Sequence, residues 1–401
     1  MENLVLYRKY RPITFGEVIE QEHIIKTLTH ALESGKVAHA YLFCGPRGTG
    51  KTTVARLLAK AVNCEKRLQS LNHSATQSLA FEPCNKCSSC VEINEGRAMD
   101  LVEIDAASNR GIDEIRELRE GIKFAPSKLK YKVFIIDEVH MLTREAFNAL
   151  LKTLEEPPAH AIFILATTEI HKVLPTIISR CQRFDFHKLT LDKIVERLGQ
   201  IAKKEGVKVE KSALELIAAN AEGAARDAES LLGQVIATCP PLPAASGAGR
   251  RVEDSEITLK ETEAVLGTTS IATTIEMANF IIANDLSGAL SYINKIVNEG
   301  YDIAQFAKSL VSSFRKMMIL VSFKNQPSEL ALMQKLVAPE LTNEQFKIIL
   351  EQGKKFASAD FIKLIRLFIR AENEIKSASL PQLPLELAIA EWVGEGEKVI
   401  E

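Results

Sequence analysis

The sequence has no apolar stretch approaching the roughly 20 residues that a membrane-spanning helix needs, so no bilayer span and no membrane partner are expected. Its opening residues, MENLVLYRKYRP, contain no apolar core of the kind a secretory leader carries, so a signal peptide is not expected either. It has no charge bias. Fifty Lys and Arg against 52 Asp and Glu leave a net charge of −2, which argues against a monomer that coats nucleic acid but leaves room for a local basic surface. It has no internal repeat, which sets aside a repeat architecture. Cysteine is sparse, at seven in 401 residues, and three of the seven are bunched. Without a secretory context, that pattern points to a metal site rather than a disulfide framework. What remains is ordinary for a soluble globular protein, 46% hydrophobic and 25% charged, and long enough for two or three domains.

The first 190 residues alternate short apolar runs with amphipathic stretches. Residues 39–45, 99–105, 131–137 and 160–168 read as strands whose near-continuous hydrophobicity fits a parallel sheet covered on both faces. Helical patterns lie between them at 51–62, 112–120 and 143–156, the last with Thr143 as its N-cap and a stop at Pro157-Pro158. Repeated strand and helix make an α/β domain. From about residue 190 the patterns are helical, with no strand runs. Residues 239–250 are rich in Pro, Gly, Ala and Ser and read as a linker, and 255–392 are again helical only. The polar stretch 65–83 reads as a surface insertion.

Gly45-Pro46-Arg47-Gly48-Thr49-Gly50-Lys51-Thr52 has the form GxxxxGKT. Its glycines let backbone N–H groups turn inward around phosphates. Lys51 carries charge to the β and γ oxygens, the Thr52 hydroxyl is placed for Mg²⁺, and the helix opening at Lys51, with Thr53 in its first turn, adds its positive end. A chance glycine-rich turn would lack the apolar strand before the loop and the helix after it. Downstream, Val133–Ile136 end in Asp137-Glu138, an apolar strand closing on two carboxylates. Asp137 is placed to hold Mg²⁺ and Glu138 to orient or activate the attacking water. The chain is thus expected to bind ATP and hydrolyse it. Asp137–His140 also matches the DExH pattern of helicases. Such helicases need a second α/β motor domain, and this chain has only helical patterns there. Small-molecule kinases do not usually carry two further helical domains.

Cys84-x-x-Cys87-x-x-Cys90 brings three thiolates within reach of one ion. A closed Zn²⁺ site needs a fourth ligand. Cys64, at the end of the helix after the phosphate loop, is the first candidate, and His73 in the insertion is the alternative. An iron–sulfur cluster is less favoured, since nothing else in the chain indicates redox work. Cys44, in a strand, and Cys239, in the linker, are read as non-functional.

Together these residues resemble the gamma/tau subunits of bacterial DNA polymerase III, AAA+ ATPases of the replicative clamp loader. The resemblance rests on Tyr7–Pro12, the loop GPRGTGKT, the CxxCxxC module, IDAAS (104–108), residues 135–158, LATT (165–168), Ser179-Arg180-Cys181 and Gly223–Ala228. It is dense over about 4–235, and beyond 255 it is one of length and helical character only. It implies that Thr168 reads the γ-phosphate, that Arg226 touches the same nucleotide from a helical lid, and that Arg180 acts in trans on a neighbouring subunit's ATP. Without it, both arginines would read as solvated surface charges. It further implies that Tyr7, Arg11 and Pro12, with Val18 and Ile19, wall the adenine.

The implied organisation is an AAA+ core over 1–188 with a zinc module inserted at 64–90, a lid over 189–238, a linker over 239–254 and a helical collar over 255–392. The implied partners are the delta and delta-prime subunits, further copies of the chain, the sliding clamp and primer-template DNA, in the cytoplasm. Several subunits would grip and open the clamp with ATP bound, and primed DNA would trigger hydrolysis and release. The polymerase- and helicase-binding tail of long members is missing, so a short form or a truncated chain is expected. A structural ring subunit without turnover would have lost the phosphate loop, and a branch-migration motor would lack the cysteine module.

Overall fold

The computed structural model describes residues 5–67, 82–109, 111, 118, 120–239, 256–266, 271–322, 337 and 343–397. His73 with most of the expected insertion, most of the helical pattern at 112–120, and the linker beyond Cys239 lie outside the described residues. The chain divides into two compact units, Met1–Gly206 with Ile217–Gly233, and Val207–Leu216 with Gln234–Glu401.

The first unit opens with a short helix, α1 (Leu6–Lys9), a 3₁₀ turn (Phe15–Glu17) and α2 (Glu22–Glu33). α2 buries Ile24, Leu28 and Leu32, which four-residue spacing puts on one face. Five strands follow in a single parallel sheet: β1 (Ala40–Cys44), β2 (Leu101–Asp105), β3 (Lys132–Asp137), β4 (Ala161–Thr167) and β5 (Gln182–Asp185). Their order is β2-β3-β4-β1-β5. α3 (Lys51–Asn63), α4 (Ser88–Asn94), α5 (Arg144–Glu155) and the single turn α6 (Pro175–Ile178) lie between strands in sequence. The near-continuous apolar strands are explained by the two cores they feed. Tyr41 and Phe43 of β1 pack with Leu28 and Leu58, while Leu42 and Cys44 pack with Phe147 and Leu150. Thr143 caps α5, its hydroxyl accepting the Ala146 N–H at 3.3 Å, and the helix stops at Glu155, ahead of the two prolines. β5 had no counterpart among the expected strands. It is a four-residue edge strand with only Phe184 buried, so it carries no apolar run.

Helices α7 (Leu191–Glu205), α8 (Lys211–Asn220) and α9 (Ala225–Thr238) come next. α7 ends at Gly206, whose φ of +72° is the left-handed cap that glycine supplies without strain. The absence of strands after residue 190 needs correction. β6 (Lys208–Val209) pairs in parallel with β7 (Glu256–Ile257), and two residues are too few to show a period. Cys239 directly follows α9, with its N–H on the Val235 carbonyl at 2.9 Å. The other elements among the described residues are helices: α10 (Leu259–Leu266), α11 (Ile271–Ile282), α12 (Leu286–Asn298), α13 (Ile303–Ser322), α14 (Asn343–Gly353), α15 (Ser358–Ile375) and α16 (Leu383–Glu397). Their core includes Phe306, Phe314, Phe361 and Phe368, with the rings of Phe314 and Phe368 stacked at 5.6 Å. No described helix is long and apolar enough to cross a membrane.

Candidate functional site

The strand order places β4 between β1 and β3, so the carboxyl ends of all three meet at one edge of the sheet. An open parallel sheet offers its crevice there. The phosphate loop leaves β1 pinned to β4, the Gly45 N–H donating to the Thr167 carbonyl at 3.2 Å. Gly45 has φ +146°, and a Cβ on it would stand 2.5 Å from the Phe186 carbonyl oxygen. Gly48 has φ +77°, and a Cβ there would stand 2.7 Å from the Ala224 Cβ. Both positions therefore require glycine. Lys51 is almost wholly buried. Its Nζ donates to the carbonyls of Gly45 (2.7 Å) and Pro46 (2.8 Å), and burial pushes its pKa down. The Thr49 hydroxyl donates to the Pro46 carbonyl at 2.9 Å, which tightens the same turn.

Across from the loop, the Thr52 hydroxyl donates to Asp137 Oδ2 at 2.6 Å. A hydroxyl and a carboxylate oxygen in contact beside a buried lysine form a donor set that suits a hard cation held against phosphates. Glu138 follows in the left-handed region at φ +48°, and its N–H donates to Asp137 Oδ1 at 2.9 Å. Its carboxylate accepts from the Thr168 hydroxyl at 3.0 Å and the Thr168 N–H at 3.3 Å. Thr168 itself stands one residue past the end of β4. His140, with a side chain only 5% exposed, lies 3.4 Å from Glu138 through Nδ1 and 3.4 Å from Glu169 through Nε2. Its Nδ1 also sits 3.0 Å from the Thr167 hydroxyl. The carboxylate best placed to act on water is thus fixed from two sides.

A cleft of 470 Å³ opens over this floor. Of the residues expected to bind nucleotide or metal there, Arg47, Gly48, Thr49, Gly50, Lys51, Thr52 and Thr53 line it along the loop and first helical turn, with Asp137 and Glu138 beside them. Tyr7, Arg11, Pro12, Val18 and Ile19 line it from the N-terminal segment, and Arg226 from α9. The Arg226 guanidinium sits 4.7 Å from the Tyr7 ring centre, and its hydrogen bond holds the Tyr7 phenol below its ordinary pKa. Gly45 and Pro46 shape the loop from behind, and Thr168 reaches the cleft only through Glu138. Arg180 does not line the cleft. Its guanidinium donates to Glu155 at 2.7 Å and to the Thr176 carbonyl at 2.8 Å.

Several lining residues escaped the sequence reading: Asp105, Ala107, Leu189, Arg197, Ala225 and Glu229. Asp105 ends β2 in register with Asp137 on β3, so the IDAAS segment held a signal for it. Arg197 and Glu229 lie on different helices and form a buried pair at 3.1 Å. Burial pushes the Glu229 carboxyl up, and Arg197 opposes the rise. On paper both look like ordinary charges of amphipathic helices.

The ligand sulfurs of Cys64, Cys84, Cys87 and Cys90 all lie within 4.8 Å of one another. Tetrahedral Zn²⁺ with ~2.3 Å bonds sets its sulfurs roughly 3.8 Å apart, so the group fits a metal with little movement. The Cys84 N–H points at Cys64 Sγ (3.4 Å) and the Cys87 N–H at Cys84 Sγ (3.3 Å), contacts that favour thiolates. The neighbouring Cys90 thiol, by hydrogen bonding to it, pulls the Cys64 pKa down, and Cys90 is pushed up in return. Cys64 therefore stands as the fourth member among the described residues.

Three family models match the chain. One, described as DNA polymerase III, delta subunit, matches residues 20–190. A second, described as DNA polymerase III clamp loader subunit, ATPase lid domain, matches 193–240. The third, described as DNA polymerase III subunits gamma and tau domain III, matches 257–393. Among curated relatives, DNA polymerase III subunit tau of Bacillus subtilis is 43% identical over 97% of this chain and 63% of its own length. DNA polymerase III subunit gamma/tau of Mycobacterium tuberculosis is 37% identical over 96% of this chain and 62% of its own. Thus the chain spans less than two thirds of the length of these two. DNA polymerase III subunit gamma of Buchnera aphidicola is 35% identical over 94% of this chain and 100% of its own length. With this fold and these matches, the chain belongs to the gamma/tau family of DNA polymerase III subunits.

Proposed function

We propose that this chain is an ATP-hydrolysing motor subunit of a clamp loader, which loads a sliding clamp onto primed DNA and does not itself polymerise. The observation that carries the reading is the contact between Thr52 and Asp137 at 2.6 Å beside buried Lys51, with Glu138 held by Thr168. That arrangement can bind a triphosphate, hold its cation and direct water at the γ-phosphorus, within a chain of this family. The loop N–H groups and Lys51 bind and orient the phosphates. Thr52 and Asp137 would hold Mg²⁺, which when bound offsets charge on the phosphate oxygens. Glu138 orients the water and takes its proton at the carboxylate, and Thr168 keeps that carboxylate aimed. Tyr7, Arg11, Pro12, Val18 and Ile19 wall the base, and Arg226 contacts the nucleotide from α9.

Arg180, paired with Glu155 away from its own cleft, acts on the nucleotide of a neighbouring subunit. Its partners are the delta and delta-prime subunits, further copies, the clamp and primer-template DNA, in the cytoplasm. The division of labour is an ATPase core over 1–188, a lid over 189–238, a linker over 239–254 and a collar over 255–392. Cys64, Cys84, Cys87 and Cys90 hold Zn²⁺ as a structural ion.

The test is ATP turnover by the complex assembled with its partner subunits, with and without clamp and primed DNA, for wild type and Arg180→Ala. Clamp and DNA together should raise turnover in wild type. The variant should bind ATP equally well and lose at least a hundredfold of the stimulated rate, the smaller end of what arginine fingers supply (~10³–10⁵) being tempered by the other subunits. Turnover indifferent to clamp and DNA removes the clamp-loading assignment and leaves the ATPase chemistry.

A further inference from the structure

We propose that the cysteine module braces the base-binding wall of the cleft, so that metal on the four cysteines and nucleotide in the cleft strengthen each other's binding. The proposal rests on the reading that the cleft takes ATP and the cysteines take a metal, and it assigns Glu82, Asn85 and Lys60 as the positioning residues between them.

Glu82, two residues before Cys84, clamps the N-terminal segment with both oxygens. They accept the N–H groups of Phe15 (2.9 Å) and Gly16 (3.0 Å), which open the 3₁₀ turn. Asn85 Nδ2 donates to the Ile13 carbonyl at 3.1 Å. Lys60, on α3 and only 2% exposed, spends three donors on the same junction: the Ile13 carbonyl (2.9 Å), Asn85 Oδ1 (2.6 Å) and Asn94 Oδ1 (2.8 Å). The module therefore grips the chain at residues 13, 15 and 16, and the same stretch lines the cleft at Pro12, Val18 and Ile19.

Among the described residues, the module's own interior cluster consists of the four cysteines. α4 is tied separately, Glu65 accepting from the Ser88 (2.7 Å) and Ser89 (2.8 Å) hydroxyls, so loss of the ion loosens first the segment around Cys84 that carries Glu82 and Asn85. A loosened module releases Glu82 and Asn85, and the wall they position relaxes. Lys60 is then a buried ammonium short of acceptors. Coupling through such a joint is reciprocal, so ATP must also retain the metal.

The full chain, with its metal content measured, is titrated with ATP and separately with inorganic tripolyphosphate, before and after removal of the metal by a strong chelator. The same titrations are run on Glu82→Ala. Tripolyphosphate engages the loop but not the wall, so its affinity separates the brace from general collapse. Metal removal should weaken ATP binding about tenfold and leave tripolyphosphate within about twofold. Metal-loaded Glu82→Ala should already show most of that loss, and stripping it should add less than about twofold. ATP should slow transfer of the metal to the chelator in wild type and not in the variant. Unchanged ATP affinity after stripping, or in Glu82→Ala, overturns the proposal. So does a parallel loss for tripolyphosphate, which would mark the module as a fold prop alone, and so does a chain that carries no metal. A metal-loaded wild type that binds neither ligand removes the nucleotide reading and this inference with it.

Discussion

The floor and the wall of the cleft are held in different ways. Sheet hydrogen bonds fix the floor: Asp137 is in register with Asp105 and Gly45 is tied to Thr167, and one side-chain bond, Thr52 to Asp137, closes it. Side chains reaching across long stretches of sequence fix the wall. Arg197 donates to the Tyr10 carbonyl, Glu20 accepts both the hydroxyl and the N–H of Thr190 at 2.6 Å, and the Gln21 amide donates to the His187 carbonyl at 2.9 Å. A sheet edge moves little, whereas a wall built from ion pairs and clamps can shift when one of them is lost. Floor substitutions should therefore alter chemistry, and wall substitutions should alter affinity and stability.

The largest effect is expected at Glu138. Glu138→Gln keeps the acceptor for Thr168 but removes the base, and turnover should fall at least a hundredfold, within the ~10²–10⁴ range that a positioned general base supplies. Equilibrium binding of ATP should stay within about threefold of wild type. A variant that loses binding as much as turnover would erase the distinction between floor and wall, because a floor residue would then be shaping the cleft.

The second effect lies in the wall. Arg197→Ala strands the buried Glu229 carboxylate, and breaking a buried pair from one side costs about 3 kcal/mol. The sign with pH follows from the direction of the shift. Burial holds the Glu229 carboxyl above its ordinary value, so the folded chain keeps that proton more tightly than the unfolded chain does. The penalty for ionising it grows as pH rises from the unfolded value through the folded one, and persists above. Without Arg197 the folded value rises further and the window widens upward. Urea unfolding should show a loss of about 3 kcal/mol near pH 8 and less than half of that near pH 5. A loss as large at pH 5 as at pH 8 would mean that Arg197 stabilises the wall through the Tyr10 carbonyl, whose bond does not titrate, rather than through Glu229.

Legibility in the sequence follows the same division. The floor is written in contiguous residues, since a glycine loop must join a strand to a helix and a cation-binding carboxylate must end a strand. β1, β3 and β4 are readable because burial on both faces leaves unbroken apolar runs, as in Tyr41 to Cys44, whereas β2, at the other edge, is only partly buried and shows through Leu101, Val102 and Ile104. β5 is not readable, because at the sheet edge Gln182, Arg183 and Asp185 are exposed. The wall depends on tertiary meetings that no local pattern records. Arg197 and Glu229 sit 32 residues apart on helices whose polar faces look alike. Glu82 meets Phe15 across 67 residues. Cys64 could be named only as a candidate from spacing, and its place among the other three cysteines emerges once α3 and the module are folded together.

The smallest of these effects is expected where floor and wall touch, at Gly48. Its φ of +77° disfavours any L residue by about 1–2 kcal/mol, and an added Cβ would stand 2.7 Å from the Ala224 Cβ, immediately before α9. Gly48→Ala should therefore lower stability by about 1–2 kcal/mol through the backbone and separately push away the helix that carries Arg226 and Glu229. The two parts are separable. Adding Ala224→Gly removes the 2.7 Å contact, leaves the residue-224 Cα at 3.3 Å and leaves the backbone strain, so the double variant should recover most of the ATP affinity while its unfolding midpoint stays low. Recovery of both would show that the close approach alone demands glycine at Gly48. Recovery of neither would place the damage in the loop's own grip on the phosphates, making Gly48 a floor residue only.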